Sequence, residues 1–225
     1  MEKELGARLL CVAESIPRCR SLVDCGCDHG FVSIYAAKRG FAENITASDI
    51  NQGPLRNAEK EIAAARLTGK IKTVLTNGLD GIEHHECVVI AGMGGETIMD
   101  IISRAEWTKH DCTLVLQPMT KTELLREWLY NEGFGITKEK FVAEGGHLYS
   151  VIVASFCGKV EFEPFEKYMS RAAIGEELWK EYADKIISRL TYEFEKKTEA
   201  SAMSEEEKAR REKDLASMNE MRKKI

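Results

Sequence analysis

Apolar residues recur at Leu5, Leu9, Val12 and Ile16, a spacing of three to four that predicts an opening amphipathic helix, stopped by Pro17, which has no amide hydrogen to give. An alternation follows. Short β-branched or apolar runs at 21–25, 44–48, 71–75, 87–91 and 112–116 read as strands, and helical patterning fits the intervals 30–39, 54–66, 95–105 and 121–132. Strand-helix-strand order of this kind implies a mostly parallel sheet wrapped by helices on both faces, because crossovers between parallel strands are right-handed almost without exception. Two late runs, 135–142 and 147–154, meet through Glu144-Gly145-Gly146 and read as a terminal antiparallel hairpin.

Beyond Gly158 the pattern becomes dense in charge of both signs, with Trp179, Tyr182, Ile186, Leu190 and Phe194 at helical spacing. Ser204 followed by Glu207 has the form of a capping box, opening a second helix with a weaker stripe of Leu215, Met218 and Met221. The expected division is an α/β unit over 1–158 and a coiled-coil-like helical hairpin over 159–225.

Chemistry concentrates where the expected strands end. Val23-Asp24-Cys25-Gly26-Cys27-Asp28-His29-Gly30 joins a strand to a helix through a turn that holds glycines and two carboxylates. Glycines let the backbone approach a ligand, the free N–H groups of the following helix point at it, and carboxylates accept protons from hydroxyl or amino groups. Ile90-Ala91-Gly92-Met93-Gly94-Gly95 forms a second glycine-rich crossing, and Asp49, Ile50 and Asn77-Gly78 fall at two further strand ends. Ligands of open α/β sheets lie beyond such carboxyl ends. The expected cofactor-binding set is therefore Asp24, Gly26, Asp28, Gly30, Asp49, Ile50, Asn77, Gly78, Ala91, Gly92 and Met93.

A dinucleotide-binding turn would read G-x-G-x-x-G, with no side chain in the path of the pyrophosphate. Here Asp28 occupies that path and would repel phosphate. S-adenosylmethionine fits better, since it has an α-ammonium, a sulfonium and a ribose diol whose hydroxyl protons Asp49 can accept. Asp28 and His29, both in the first turn, are the catalytic candidates: Asp28 for a negative field or for orienting the cofactor's amine, His29 for positioning it or the target base.

Composition narrows the class. The 225 residues are 44% hydrophobic and 31% charged, ordinary for a globular protein, with a formal charge of −5 that gives no general nucleic-acid-binding surface. Seven cysteines without a C-x-x-C pair argue against a disulfide framework and against a zinc ribbon. His84-His85-Glu86 reads as a surface loop, because adjacent histidines point apart, and no metal is expected. The start has no basic stretch leading into an apolar one, and no run reaches the roughly 18 apolar residues of a membrane span, so a cytoplasmic location is expected.

The segments 23–30 and 90–95, with Leu116-Gln117-Pro118 and Arg126-Glu127-Trp128-Leu129, resemble the bacterial tRNA (adenine-22) N1-methyltransferase family from about residue 5 to 157. That resemblance implies a class I methyltransferase domain over 1–158, S-adenosylmethionine as cofactor, tRNA as partner and N1 of an adenine as acceptor. It departs at Met119, where relatives usually carry Asn, and at Ser150, where they commonly carry Glu. Contacts to tRNA phosphates are expected among Arg8, Arg18, Arg20, Arg56, Lys60 and Arg66, and among Lys196, Lys197, Arg210 and Arg211. Alternatives are a methyltransferase of a small molecule or protein, whose hairpin dimerises, and a non-catalytic cofactor-binding RNA adaptor. Oligomeric state stays open.

Overall fold

The alternation condenses into one seven-stranded sheet. Its strands are β1 (Cys19–Cys25), β2 (Ala42–Asp49), β3 (Ile71–Leu75), β4 (Cys87–Gly94), β5 (Thr113–Thr120), β6 (Phe134–Glu144) and β7 (His147–Phe156), in the order β3-β2-β1-β4-β5-β7-β6. The structure is a computed structural model that describes residues 5–199 and 203–223. β1 to β5 pair in parallel, whereas β7 runs antiparallel to both β5 and β6. β1 lies between β2 and β4, so the winding reverses at β1 and β4, and a crevice opens there at the carboxyl ends.

Helices α1 (Ala7–Ala13), α2 (Phe31–Arg39) and α3 (Gln52–Ala64) cover one face, and α4 (Gly95–Ser103) and α5 (Thr122–Asn131) cover the other. Successive strand residues point to opposite sides: Leu22, Cys87, Val89 and Val115 enter the first core, and Val23, Val88, Ile90, Leu114 and Leu116 enter the second. Both faces are buried, which is why these strands read as apolar runs. Each such valine, leucine or isoleucine, fully buried, contributes about 1.5–3 kcal/mol.

Several boundaries differ from the expected ones, and three of the differences have a clear physical cause. α1 ends at Ala13 instead of reaching Ile16, because the Ser15 and Ile16 N–H groups bond the Val12 and Ala13 carbonyls in a tighter turn. Ile16 is buried nonetheless. β4 and β5 run on to Gly94 and Thr120, since their pairing continues through Met93 with Pro118 and Gly94 with Thr120 across two register shifts. The glycine-rich crossing is thus the irregular end of a strand.

After β7, short 3-10 turns at Pro164–Lys167 and Arg171–Ala173 lead to α6 (Trp179–Glu199) and α7 (Glu205–Lys223). Trp179, Tyr182, Ile186 and Leu190 of α6 pack with Met218 and Met221 of α7, and this third core takes in Phe141 of β6. Phe194 is only half-buried, so the α6 stripe closes at Leu190. At the start of α7 the Glu207 N–H donates to Ser204 Oγ at 3.2 Å. Buried polar groups tie this region to the sheet. The Arg126 guanidinium on α5 donates to Glu139 Oε1 on β6 at 3.0 and 2.6 Å, to the Lys167 carbonyl at 3.2 Å and to the Tyr182 hydroxyl at 3.1 Å. Ser150 Oγ and the Ser170 N–H donate to the same Glu139 carboxylate. Lys167 and the Tyr168 hydroxyl both reach Asp214 of α7.

Candidate active site

A cleft of roughly 530 Å³ lies at the switch point, within the range usual for small-ligand sites. Ten of the eleven expected cofactor residues line it: Asp24, Gly26, Asp28, Asp49, Ile50, Asn77, Gly78, Ala91, Gly92 and Met93. The two glycine-rich segments face each other across it. Gly26 holds φ +75°, and a Cβ placed there would meet Met93 Cε at 2.2 Å.

Gly30 does not line the cleft. Its φ is +70°, and a Cβ there would stand 3.2 Å from Ala58 Cβ on α3, so its bareness serves the packing of α2 against α3. The left-handed turn and the close approach of α3 are what the fold itself asks of a glycine here.

Asp24 is buried and accepts the Ser33 N–H at 3.1 Å and the Ser33 hydroxyl at 2.7 Å, both through Oδ2. It therefore caps the first turn of α2, where Gly30 offers no side chain. Burial raises its carboxyl to a pKa of about 6 against the opposing pull of the Ser33 bonds. Asp49 accepts the Asn51 N–H at 2.8 Å and the Asp28 N–H at 3.4 Å, so its carboxylate is fixed by both turns. Beside it Ile50 is 59% exposed, a large apolar face presented to the cleft.

Asp28 adopts φ 47°, a left-handed conformation that a non-glycine residue takes rarely, and its side chain is 68% exposed at the mouth. His29 Nε2 lies 3.8 Å from Asp28 Oδ1, and the His29 ring stacks on Phe31 at a centroid distance of 5.3 Å. The catalytic candidates are therefore together and accessible. Cys25 and Cys27 line the same turn as free thiols, and burial pushes Cys25 up to about 12, which leaves it inert.

Gln117 is fully buried, its amide oxygen accepting Arg8 Nη1 at 2.5 Å and the Gly92 N–H at 3.1 Å while its NH2 donates to the Pro118 carbonyl at 2.9 Å. It is a strut beneath the crossing. Arg8, expected among the tRNA phosphate contacts, instead lines the cleft. Its position four residues before the buried Val12 was the sequence signal for an inward face. Asn51, Thr76 and Thr97 line it too and were not anticipated, since they carry no motif of their own.

Other expected cations are engaged elsewhere. Arg20 pairs with Glu86 at the amino end of β1, the opposite edge of the sheet from the cleft. Lys197 and Arg211 pair with Glu207, and Arg210 lies 3.9 Å from Glu127. His84 bonds the His110 carbonyl while His85 bonds Thr46 Oγ1 and the Glu83 carbonyl. Among the described residues no group of three or more His, Cys, Asp or Glu is placed to hold a metal ion, and no helix is long and apolar enough to cross a membrane.

A family described as a methyltransferase domain matches residues 5–152. The tRNA (adenine(22)-N(1))-methyltransferase of Bacillus subtilis is 35% identical over 159 residues, 68% of this chain and 66% of that protein, so the match spans just under two thirds of the relative. Streptococcus pneumoniae Sp1610, solved in complex with S-adenosyl-L-methionine, is 28% identical with a TM-score of 0.77, covering 96% of this chain and 99% of that one. M. capricolum TrmK, in complex with S-adenosyl-homocysteine, is 25% identical with a TM-score of 0.79, covering 98% and 99%. The chain belongs to the methyltransferase-domain family, and its resemblance within that family is to the bacterial tRNA (adenine(22)-N(1))-methyltransferases.

Proposed function

We propose that this protein is an S-adenosylmethionine-dependent tRNA (adenine-N1)-methyltransferase acting on adenine 22 of the D-arm. The observation that carries the reading is the meeting of the two motif segments, Gly26 against Met93, in one cleft whose charges complement a sulfonium amino acid. Asp49 stands ready for a ribose diol, Ile50 and Asn77 for the adenine, and Asp24 with Asp28 for an ammonium. A pyrophosphate would face three carboxylates there.

When bound, S-adenosylmethionine supplies an electrophilic methyl group, and adenine N1 supplies its own lone pair. No residue has to generate a nucleophile. The chain's part is alignment, worth roughly 7–11 kcal/mol in favourable cases, and stabilisation of the positive charge that reaches the adenine ring. Asp28 provides the negative field at the mouth, His29 positions it, and Gly92 with Met93 lets the base approach the backbone. Extruding an adenine from folded RNA costs a few kcal/mol, which contacts to phosphates must offset. Arg56 and Lys60, exposed on α3 just beyond β2, are suited to them.

Residues 1–158 then form the methyltransferase domain and 159–225 the helical domain, and the enzyme works where tRNA is processed, in the cytoplasm. Labelled cofactor tests the reading: methyl transfer should require unmodified tRNA, and Asp28→Ala should lower kcat/KM roughly 100-fold. Transfer without tRNA would overturn it, and an Asp28→Ala enzyme with normal turnover and cofactor affinity would remove Asp28 from the site.

A further inference from the structure

Arg8 is the one lysine or arginine among the described residues that line the cleft, whose other charged walls are Asp24, Asp28 and Asp49. Its guanidinium lies over the glycine-rich crossing, with Nη1 3.8 Å from the position a Gly92 Cβ would take. Buried Gln117 holds that same nitrogen and the Gly92 N–H together. From outside, Glu144 accepts the Arg8 backbone N–H at 3.1 Å and lies 3.6 Å from Arg8 Nε, and the Tyr149 ring sits 5.7 Å from the guanidinium carbon. The side chain is only 20% exposed, against 81% for Arg20. A residue that meets RNA phosphates needs reach and solvent. One clamped inside a small-ligand cleft has neither.

We propose that Arg8 is the anchor for the α-carboxylate of S-adenosylmethionine, and not a tRNA contact. The assignment rests on the cofactor reading above and sharpens it. The donor's amino-acid end carries an ammonium and a carboxylate, so Asp24 and Asp28 with a single guanidinium complement it in sign. Planar guanidinium pairs carboxylate through two parallel N–H bonds, and Gln117 engages only one end of the fork. The anchor also links α1, the end of β5 and the β6–β7 turn to the amino-acid end of the cofactor.

Calorimetric titration tests this with S-adenosylmethionine and its decarboxylated analogue, which keeps both positive groups. Arg8→Met should weaken S-adenosylmethionine roughly 10- to 100-fold and leave the analogue within about twofold, while Arg8→Lys recovers part of the loss. Wild-type protein should bind the analogue about as weakly as Arg8→Met binds S-adenosylmethionine. Equal losses for both ligands, or an unchanged affinity for S-adenosylmethionine with weaker tRNA binding, would overturn the assignment. If the wild type bound neither ligand, the cofactor reading itself would fall.

Discussion

Asp24 combines a structural task with the ligand contact proposed for it. It caps α2 through Ser33, lines the cleft, and is held by burial at a pKa of about 6, above the ordinary 3.8. A raised carboxyl makes the unliganded protein favour the protonated form: the contribution to stability is fully present below about pH 3.8 and is lost as pH rises through about 6. Cofactor affinity runs the other way, since only the carboxylate attracts an ammonium. Titrations between about pH 5 and 8 should show affinity falling as pH drops through about 6, and Asp24→Asn should flatten that dependence. A wild-type profile as flat as the variant's would dissociate Asp24 from the cofactor's charge.

Element by element, what could be read from the chain was what local pattern encodes. All seven strands and both late helices follow from apolar patterning, because a strand buried on both faces leaves a short apolar run and a helix with a single stripe leaves a spacing of three to four. Residues whose meaning depends on distant partners were not legible in the same way. Gly30 reads as a ligand glycine with no sign of α3 against it, and Gln117 reads as a substrate-edge contact or a turn residue with no sign of Arg8 and Gly92 on its amide. Arg126 is the clearest case. It reads as one charge on a helix, yet it is fully buried between α5, β6 and α6. Burial works against its charge, but Glu139 and Tyr182 outweigh that and raise its pKa. Removing one member of a buried pair strands the other, so Glu139→Gln alone should lower stability by about 3–5 kcal/mol in denaturant unfolding. Arg126→Met combined with Glu139→Leu should lose less than the sum of the single changes, and strict additivity would show that the two groups do not compensate each other.

At the scale of the molecule, the helical pair and the sheet share a core and a buried polar network, so the C-terminal region is held in one orientation relative to the cleft. Several of its charges are paired: Arg222 with Asp184 and Arg211 with Glu193 and Glu207 within the region, and Arg189 with Glu123 of α5. The lining of the candidate cleft was largely legible, because carboxyl strand ends converge in this architecture and the motifs fell on four of them. Arg8 escaped because its helix joins the site from outside the strand-end pattern. Nucleoside mapping of tRNA transcripts treated with protein and S-adenosylmethionine identifies the methylated atom and so decides the proposed function. The expected product is N1-methyladenosine at position 22, abolished when that adenine is replaced by guanine, and any other methylated nucleoside or position would overturn the proposed function.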